Sequence, residues 1–168
     1  MVTLFDGLVG NDWPTTFTCT ATDTDSGEVT TFDSGSGVPL ARAVAASCAL
    51  PLVLPVIGIG DRRYMDGGLH DPLNAALAQG HDLVVAVPCL PYLNLDRERV
   101  HRTTRAQQAN VTPALAALRA AGTRVETTEP NEEFRVLSAD GQRLLDASLI
   151  GDAYAAGARP GTELHGTF

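Results

Sequence analysis

The stretch "PLNAALAQGHDLVVAVPC", residues 72–89, constrains the fold more than any other part of the chain. Asp71 is placed to cap a helix that starts at Pro72 and runs to Gly80, a residue able to take the left-handed dihedrals that end helices. "HDLVVAVPC" then reads as the strongest strand, because a continuous apolar run rich in valine suits a strand covered on both faces. Helix, glycine and buried strand form the α-to-β half of a βαβ unit, so the expected class is α/β.

Upstream, 1–8 resembles the end of a helix. "TTFTCTATD" is threonine-rich and alternating, "DTDSGE" reads as a turn and "VTTF" as a return strand, predicting a hairpin from about Thr16 to Phe32. After "DSGSG", "VPLARAVAASCAL" predicts a helix with Pro39 in its first turn, where the missing amide hydrogen is not needed. Leu40, Ala43, Val44 and Ser47 would share one narrow face. "LPLVLPVIGIG" holds two prolines and two glycines, which oppose regular structure and predict a packed loop leading to a short extended piece.

Downstream, 96–121 has a helical pattern with a kink or break at Pro113, and "TRVETTEP" predicts a short strand and turn. The last helix is expected to carry Leu144, Leu145, Leu149 and Tyr154 and to stop at Gly157. About three principal strands are foreseen by period and composition. That is thin for a doubly covered sheet, and a covering segment is expected to be missing. No repeat or composition shift marks a second domain.

Composition narrows the functional classes. Hydrophobic residues are 44% and charged residues 19% of the 168, a globular mixture. The net charge of -8 makes nonspecific attraction to nucleic acid a poor expectation. The chain has no lysine, which excludes Schiff-base, P-loop-lysine and lysine-base chemistry. Arg97, Arg99, Arg102 and Arg105 form a local basic concentration, interrupted by Asp96 and Glu98, and read as a solvated helix face. Cys19, Cys48 and Cys89 have no zinc-ligand spacing and are expected as reduced, largely buried thiols of a cytoplasmic protein. No apolar run reaches the ~18 residues of a spanning helix, and the opening has no basic leader-like region.

Among reactive candidates, "GSG" and "GIG" lack a full nucleotide-binding fingerprint. Asp23, Asp25 and Glu28 are wrongly spaced for a calcium loop, and His70, His81, His101 and His165 share no metal-binding pattern. Ser34, Ser36, Ser47, Ser138 and Ser148 are present, but none lies in a GxSxG elbow. Asp66, in "RRYMDGGLHDP", differs. Gly67 and Gly68 permit unusual dihedrals and close backbone approach, so the carboxylate can be held at a loop rim. Taken alone, the motif reads first as a structural turn and only second as a catalytic or binding acid; pairing Asp66 with His70 would suit an unrelated small α/β enzyme.

"TCTATDTDSGEVTTF", "ARAVAASCALPLVLPV", "RRYMDGG", "PLNAALAQGHDLVVAV" and "VETTEP" with a final helix, in that order, resemble the C-terminal half of the patatin-like phospholipase domain across nearly all 168 residues. The resemblance implies a partial three-layer α/β fold with a small, mostly parallel sheet and an N-terminal hairpin. It implies a lipid acyl hydrolase or esterase with Ser/Asp chemistry, Asp66 being the catalytic acid and proton acceptor and Ser47 a packing residue. The family's oxyanion loop and GxSxG elbow would lie upstream of "TCTATD", so 1–168 is expected to be a partial domain, inactive alone. Its implied partners are a lipid or small ester and a complementary N-terminal segment, with peripheral membrane contact compatible and no cofactor or metal required. The alternative is a noncatalytic protein-interaction module derived from the same fold.

Overall fold

The threonine-rich stretch forms the expected hairpin: β1 (Cys19–Asp23) pairs antiparallel with β2 (Val29–Phe32), Cys19 opposite Phe32. The computed structural model describes residues 2–10, 12–90 and 102–164. A chain that reads as one domain divides into two compact units, Met1–Asn74 and Ala75–Phe168.

In the first unit a short helix, α1 (Val2–Asp6), precedes the hairpin, and α2 (Leu40–Ser47) follows it with Pro39 as its N-cap. The buried residues of α2 are Leu40, Ala41, Ala43, Ala45 and Ala46. This face is broader than the one expected, because alanines let the helix lie close on the sheet, while Val44 and Ser47 are only half-buried. The loop after α2 is not packed as expected, since Leu50, Leu52, Val53, Leu54 and Val56 are exposed, but it reaches β3 (Ile57–Ile59), the expected extended piece. β4 (Arg62–Asp66) was hidden in the sequence; it pairs antiparallel with both β1 and β3.

The resulting sheet has the order β2-β1-β4-β3. It is antiparallel throughout, which corrects the mostly parallel sheet implied by the resemblance. Ala21, Phe32, Ala43, Ala46, Ile57 and Tyr64 form the core, with the Phe32 and Tyr64 rings edge-to-face at 5.3 Å. Such a ring pair contributes about 1 kcal/mol beyond its buried area.

The hairpin turn is organised by Asp23. Its Oδ1 accepts from the Asp25 and Ser26 amides at 2.9 Å each, and its Oδ2 from Arg62 Nη1 at 2.9 Å. Those two backbone donors, then Arg62, hold the carboxyl at about 2, below its ordinary 3.8. Because the folded state binds this proton less readily than the unfolded chain, the stabilisation is complete above the ordinary value. It is lost as pH falls from 3.8 toward 2. Asp23→Asn is therefore expected to flatten the acid limb of a stability-versus-pH curve over that window; an unchanged limb would remove Asp23 from the acid response.

The second unit begins with a 3-10 turn, Ala75–Ala78, where a longer helix from Pro72 was expected. Asn74 adopts a left-handed φ of 46°, which prevents a helix from running through it, while Gly80 has the anticipated positive φ of 90°. β5 (Leu83–Ala86) pairs parallel with β6 (Arg124–Thr127), with α3 (Arg102–Ala120) between them in the chain. A βαβ unit is therefore present, but it starts from β5, downstream of the expected helix before Gly80, which is absent. α3 continues through Pro113 as one helix and buries Val111, Leu115 and Leu118 at helical spacing. β5 is not covered on both faces: Leu83 and Val85 stay exposed, and among the described residues the parallel sheet has two strands.

α4 (Glu132–Ser138) was missed. Asn131 caps it by accepting from the Phe134 amide at 2.9 Å, and the left-handed Ala139 ends it. Leu144 and Leu145 precede the last helix and are exposed. A 3-10 turn (Ala147–Leu149) leads into α5 (Ile150–Leu164), which runs past Gly157 instead of stopping there. Asp96, Arg97, Glu98, Arg99, His101 and His165 lie outside the described residues.

Candidate active site

Asp66 closes β4, opposite Ala21 of β1, and is held from several directions. Its amide donates to Ala49 O at 3.0 Å, and its carbonyl accepts from Thr22 Oγ1 at 2.9 Å. Its carboxylate Oδ1 accepts from the Gly68 amide at 2.7 Å. The Gly67 amide donates to Ser47 O at 3.3 Å. The end of α2 thus supplies two carbonyls that fix the strand end, and the DGG turn then fixes the carboxylate.

The two glycines serve by close approach, not by dihedral freedom. Neither has a positive φ. A Cβ on Gly67 would overlap the carbonyl and hydroxyl oxygens of Thr20, and one on Gly68 would stand 3.2 Å from Asp66 Oδ1. Asn74 locks the turn from outside: its Nδ2 donates to Thr20 Oγ1 at 3.1 Å and to Gly67 O at 3.2 Å. Thr20, Thr22 and Asn74 were not singled out by sequence reasoning. The one available signal for Asn74 was its residue type, since asparagine tolerates the left-handed region better than most.

Electrostatically, Asp66 is half-buried, and burial pushes its carboxyl above the ordinary value, opposed by the Gly68 hydrogen bond. A carboxylate raised in this way is a better proton acceptor than one in open water. Asp71 caps no α-helix; its Oδ1 accepts from the Leu73 amide at 3.0 Å within the turn. His70 is exposed in the turn after Gly68. Ser47 contributes its carbonyl, as a half-buried residue at the end of α2. None of the described serines of this unit hydrogen-bonds to Asp66 through its hydroxyl.

The cysteines depart from the expected burial: Cys19 is buried, whereas Cys48 and Cys89 are exposed, and all three are free. Burial, then the neighbouring Cys48, push the Cys19 thiol up to about 11, so it is inert at neutral pH. Cys48, between Ser47 and Ala49, whose carbonyls accept from the Gly67 and Asp66 amides, is exposed. Its thiol is nevertheless raised, first by desolvation and then by the charge of Asp66. Among the described residues no group of three or more His, Cys, Asp or Glu side chains could hold a metal ion, and no helix is long and apolar enough to cross a membrane.

A family model described as patatin-like phospholipase matches residues 2–78. The match takes in α1, the whole four-stranded sheet, α2 and the Asp66 turn. A search of curated proteins finds no match to the chain. The matched span corrects the expectation that the chain resembles the C-terminal half of that domain across nearly all its length. The likeness lies in the N-terminal part of the chain, and β5, α3, β6 and the last helices fall beyond it. The residues similar to a patatin-like phospholipase are therefore those of the first unit, with the first few residues of the second.

Proposed function

We propose that residues 2–78 carry the acid of a patatin-like acyl-ester hydrolase site, with Asp66 as proton acceptor for a serine that another segment supplies. The observation that supports this most is the clamp on Asp66. The Ala49 carbonyl and the Thr22 hydroxyl fix the Asp66 backbone and the Gly68 amide engages its half-buried carboxylate, with no cationic partner among the causes of its raised pKa. Asp33 and Asp71 accept the same bond from the amide two residues on, so it is the burial of Asp66 and the anchoring of its strand end that support the reading.

In this reading the serine Oγ attacks the ester carbonyl as its proton passes to Asp66. Oδ1 is engaged by Gly68, so Oδ2 is the oxygen that receives the proton. Backbone amides of a glycine-rich loop stabilise the tetrahedral oxyanion. Collapse breaks the bond to the leaving alkoxide, which takes the proton back from Asp66. Water then repeats the sequence, losing a proton to Asp66 and releasing the acid from the acyl-serine. No metal or organic cofactor enters this route, and the substrate class is a lipid or small carboxylic ester.

The test is complementation. The 168-residue chain alone is expected to show no turnover of a p-nitrophenyl ester. A separately expressed segment bearing a glycine-rich loop and GxSxG, from a patatin-like hydrolase, should restore hydrolysis when bound. Stable association without turnover would sink the proposal. A second reading, a noncatalytic interaction module, is favoured by the exposed Leu83 and Val85 of β5 and by Val87 just beyond it. It would gain if the chain captured a partner through that face while complementation stayed silent.

A further inference from the structure

The Gly67 carbonyl and the Gly68 amide are two ends of one peptide group, and peptide groups are planar, so whatever fixes one end aims the other. The Gly68 amide donates to Asp66 Oδ1 at 2.7 Å. At the opposite end, Asn74 Nδ2 donates to Gly67 O at 3.2 Å and to Thr20 Oγ1 at 3.1 Å, which uses both of its hydrogens. A relay therefore runs from Thr20 on β1, through the Asn74 side chain and a single peptide plane, to the carboxylate.

Each member of this relay is held in place. The φ of 46° at Asn74 is one that asparagine and glycine tolerate better than other residues. Its amide donates to Asp71 O at 3.2 Å, closing the turn that brings the side chain back to Gly67. Thr20 is equally constrained, since its carbonyl and hydroxyl oxygens lie where a Gly67 Cβ would be. A carbonyl oxygen only accepts, so the bond to Gly67 O requires a donor, and an aspartate at this position would set oxygen against oxygen.

We propose that Asn74 is a positioning residue for Asp66, acting through the Gly67–Gly68 peptide to hold Oδ1 and so leave Oδ2 as the oxygen presented to the serine proton. The service to catalysis rests on the hydrolase reading; the coupling of Asn74 to the carboxylate does not. Donation to a peptide oxygen polarises the group and strengthens its N–H as a donor. Without Asn74 the Gly68 bond, which favours the ionised carboxylate, weakens, and the Asp66 midpoint rises further. The titratable groups around the turn are accounted for separately. After α2, the Cys48 thiol is itself raised by the Asp66 charge. On β1, Cys19 is a buried thiol held at about 11 and Asp23 is paired with Arg62. In the turn, His70 is exposed and Asp71 is engaged by the Leu73 amide. A neutral substitution at Asn74 adds no charge beside any of them.

Carboxyl NMR titration of the full 168-residue chain tests this, with the Asp66 resonance assigned by its absence in Asp66→Asn. Asn74→Gly removes the donor and keeps the left-handed φ, and it should shift the Asp66 midpoint upward. Thr20→Val removes the second anchor of the Asn74 amide and should shift it the same way by less, which decides the matter if Asn74→Gly fails to fold. Gly60→Ala, strained in the β3–β4 turn, should not move it. In the complemented site Asn74→Gly should lower kcat by up to about 10²-fold with KM unchanged, the cost of a reacting group displaced by roughly 1 Å. A midpoint that stays put in both Asn74→Gly and Thr20→Val would overturn the proposal. So would an equal shift in Gly60→Ala, which would make the effect a general loosening of the fold. A shifted midpoint with failed complementation would retire the hydrolase reading and leave the coupling standing. Restored turnover with an unaltered kcat in Asn74→Gly would remove Asn74 from the positioning of the acid.

Discussion

Asp66→Asn should lower ester turnover of the complemented site by about 10²–10⁴-fold, the range associated with loss of a positioned general base. Asparagine keeps the shape of the side chain, and its oxygen can still accept from the Gly68 amide, so the turn should survive. What disappears is the carboxylate that the proposed mechanism uses to take the serine proton. The stability readout separates this from a folding defect. Burial raises the Asp66 pKa, so the folded state binds this proton more tightly than the unfolded chain. Stability contributed by this group is present at low pH and declines as pH rises through its raised value. At neutral pH the ionised carboxylate is therefore a burden on the fold, and the neutral asparagine should leave the thermal midpoint unchanged or raise it. The complemented wild-type site should lose activity as pH falls, with its midpoint above the ordinary 3.8 of an aspartate. An Asp66→Asn protein that retains turnover would remove Asp66 from catalysis; one that unfolds would make it a structural residue.

Gly67→Ala should be the most damaging single methyl in the first unit, costing about 3 kcal/mol or more. The added carbon would overlap the carbonyl group and hydroxyl of Thr20, and backbone in a paired strand cannot step aside cheaply. Relief would require β1 and the DGG turn to separate, breaking the Asn74 bridge to Thr20 and Gly67. Gly60→Ala supplies the comparison. That position has a φ of 62° but open space around its Cβ direction, so only the dihedral is strained, at about 1 kcal/mol. Urea denaturation of the two variants should show a clear gap in midpoint. Equal midpoints would mean that the close approach at Gly67 is not a constraint on the fold.

The contrast between these two glycines shows what the sequence could and could not reveal. Paired glycines after an acid announced a tight place, but whether the need was dihedral or steric depended on Thr20, far away in the chain. The hairpin was legible because threonines, a turn acid and Gly27 act locally, and α2 because Pro39 and its alanines do. β4 was not, since "RRYMD" has no apolar alternation and exists as a strand through pairing with both β1 and β3. The helix read from Pro72 failed at Asn74, whose side chain bonds to Thr20 and Gly67 while its backbone turns left-handed. Of the candidate site, the sequence singled out Asp66 but not the groups that hold it. Three of those supports are carbonyl or amide groups of Ser47, Ala49 and Gly68, and backbone atoms leave no residue-type signature. β5 misled for the opposite reason: its composition called for cover on both faces, which these strands do not supply.

The anchors of Asp66 also set an order of events in the life of the chain. Thr22 lies 44 residues from Asp66, and the Asn74 bridge to Thr20 spans 54. Closing contacts of that separation costs chain entropy before any bond repays it, so they belong to late stages of folding. A nascent or proteolytically nicked chain without its hairpin would contain the DGG sequence and yet have no shaped acid. The clamped geometry of this aspartate thereby depends on contacts that close only when the distant parts of the first unit have come together.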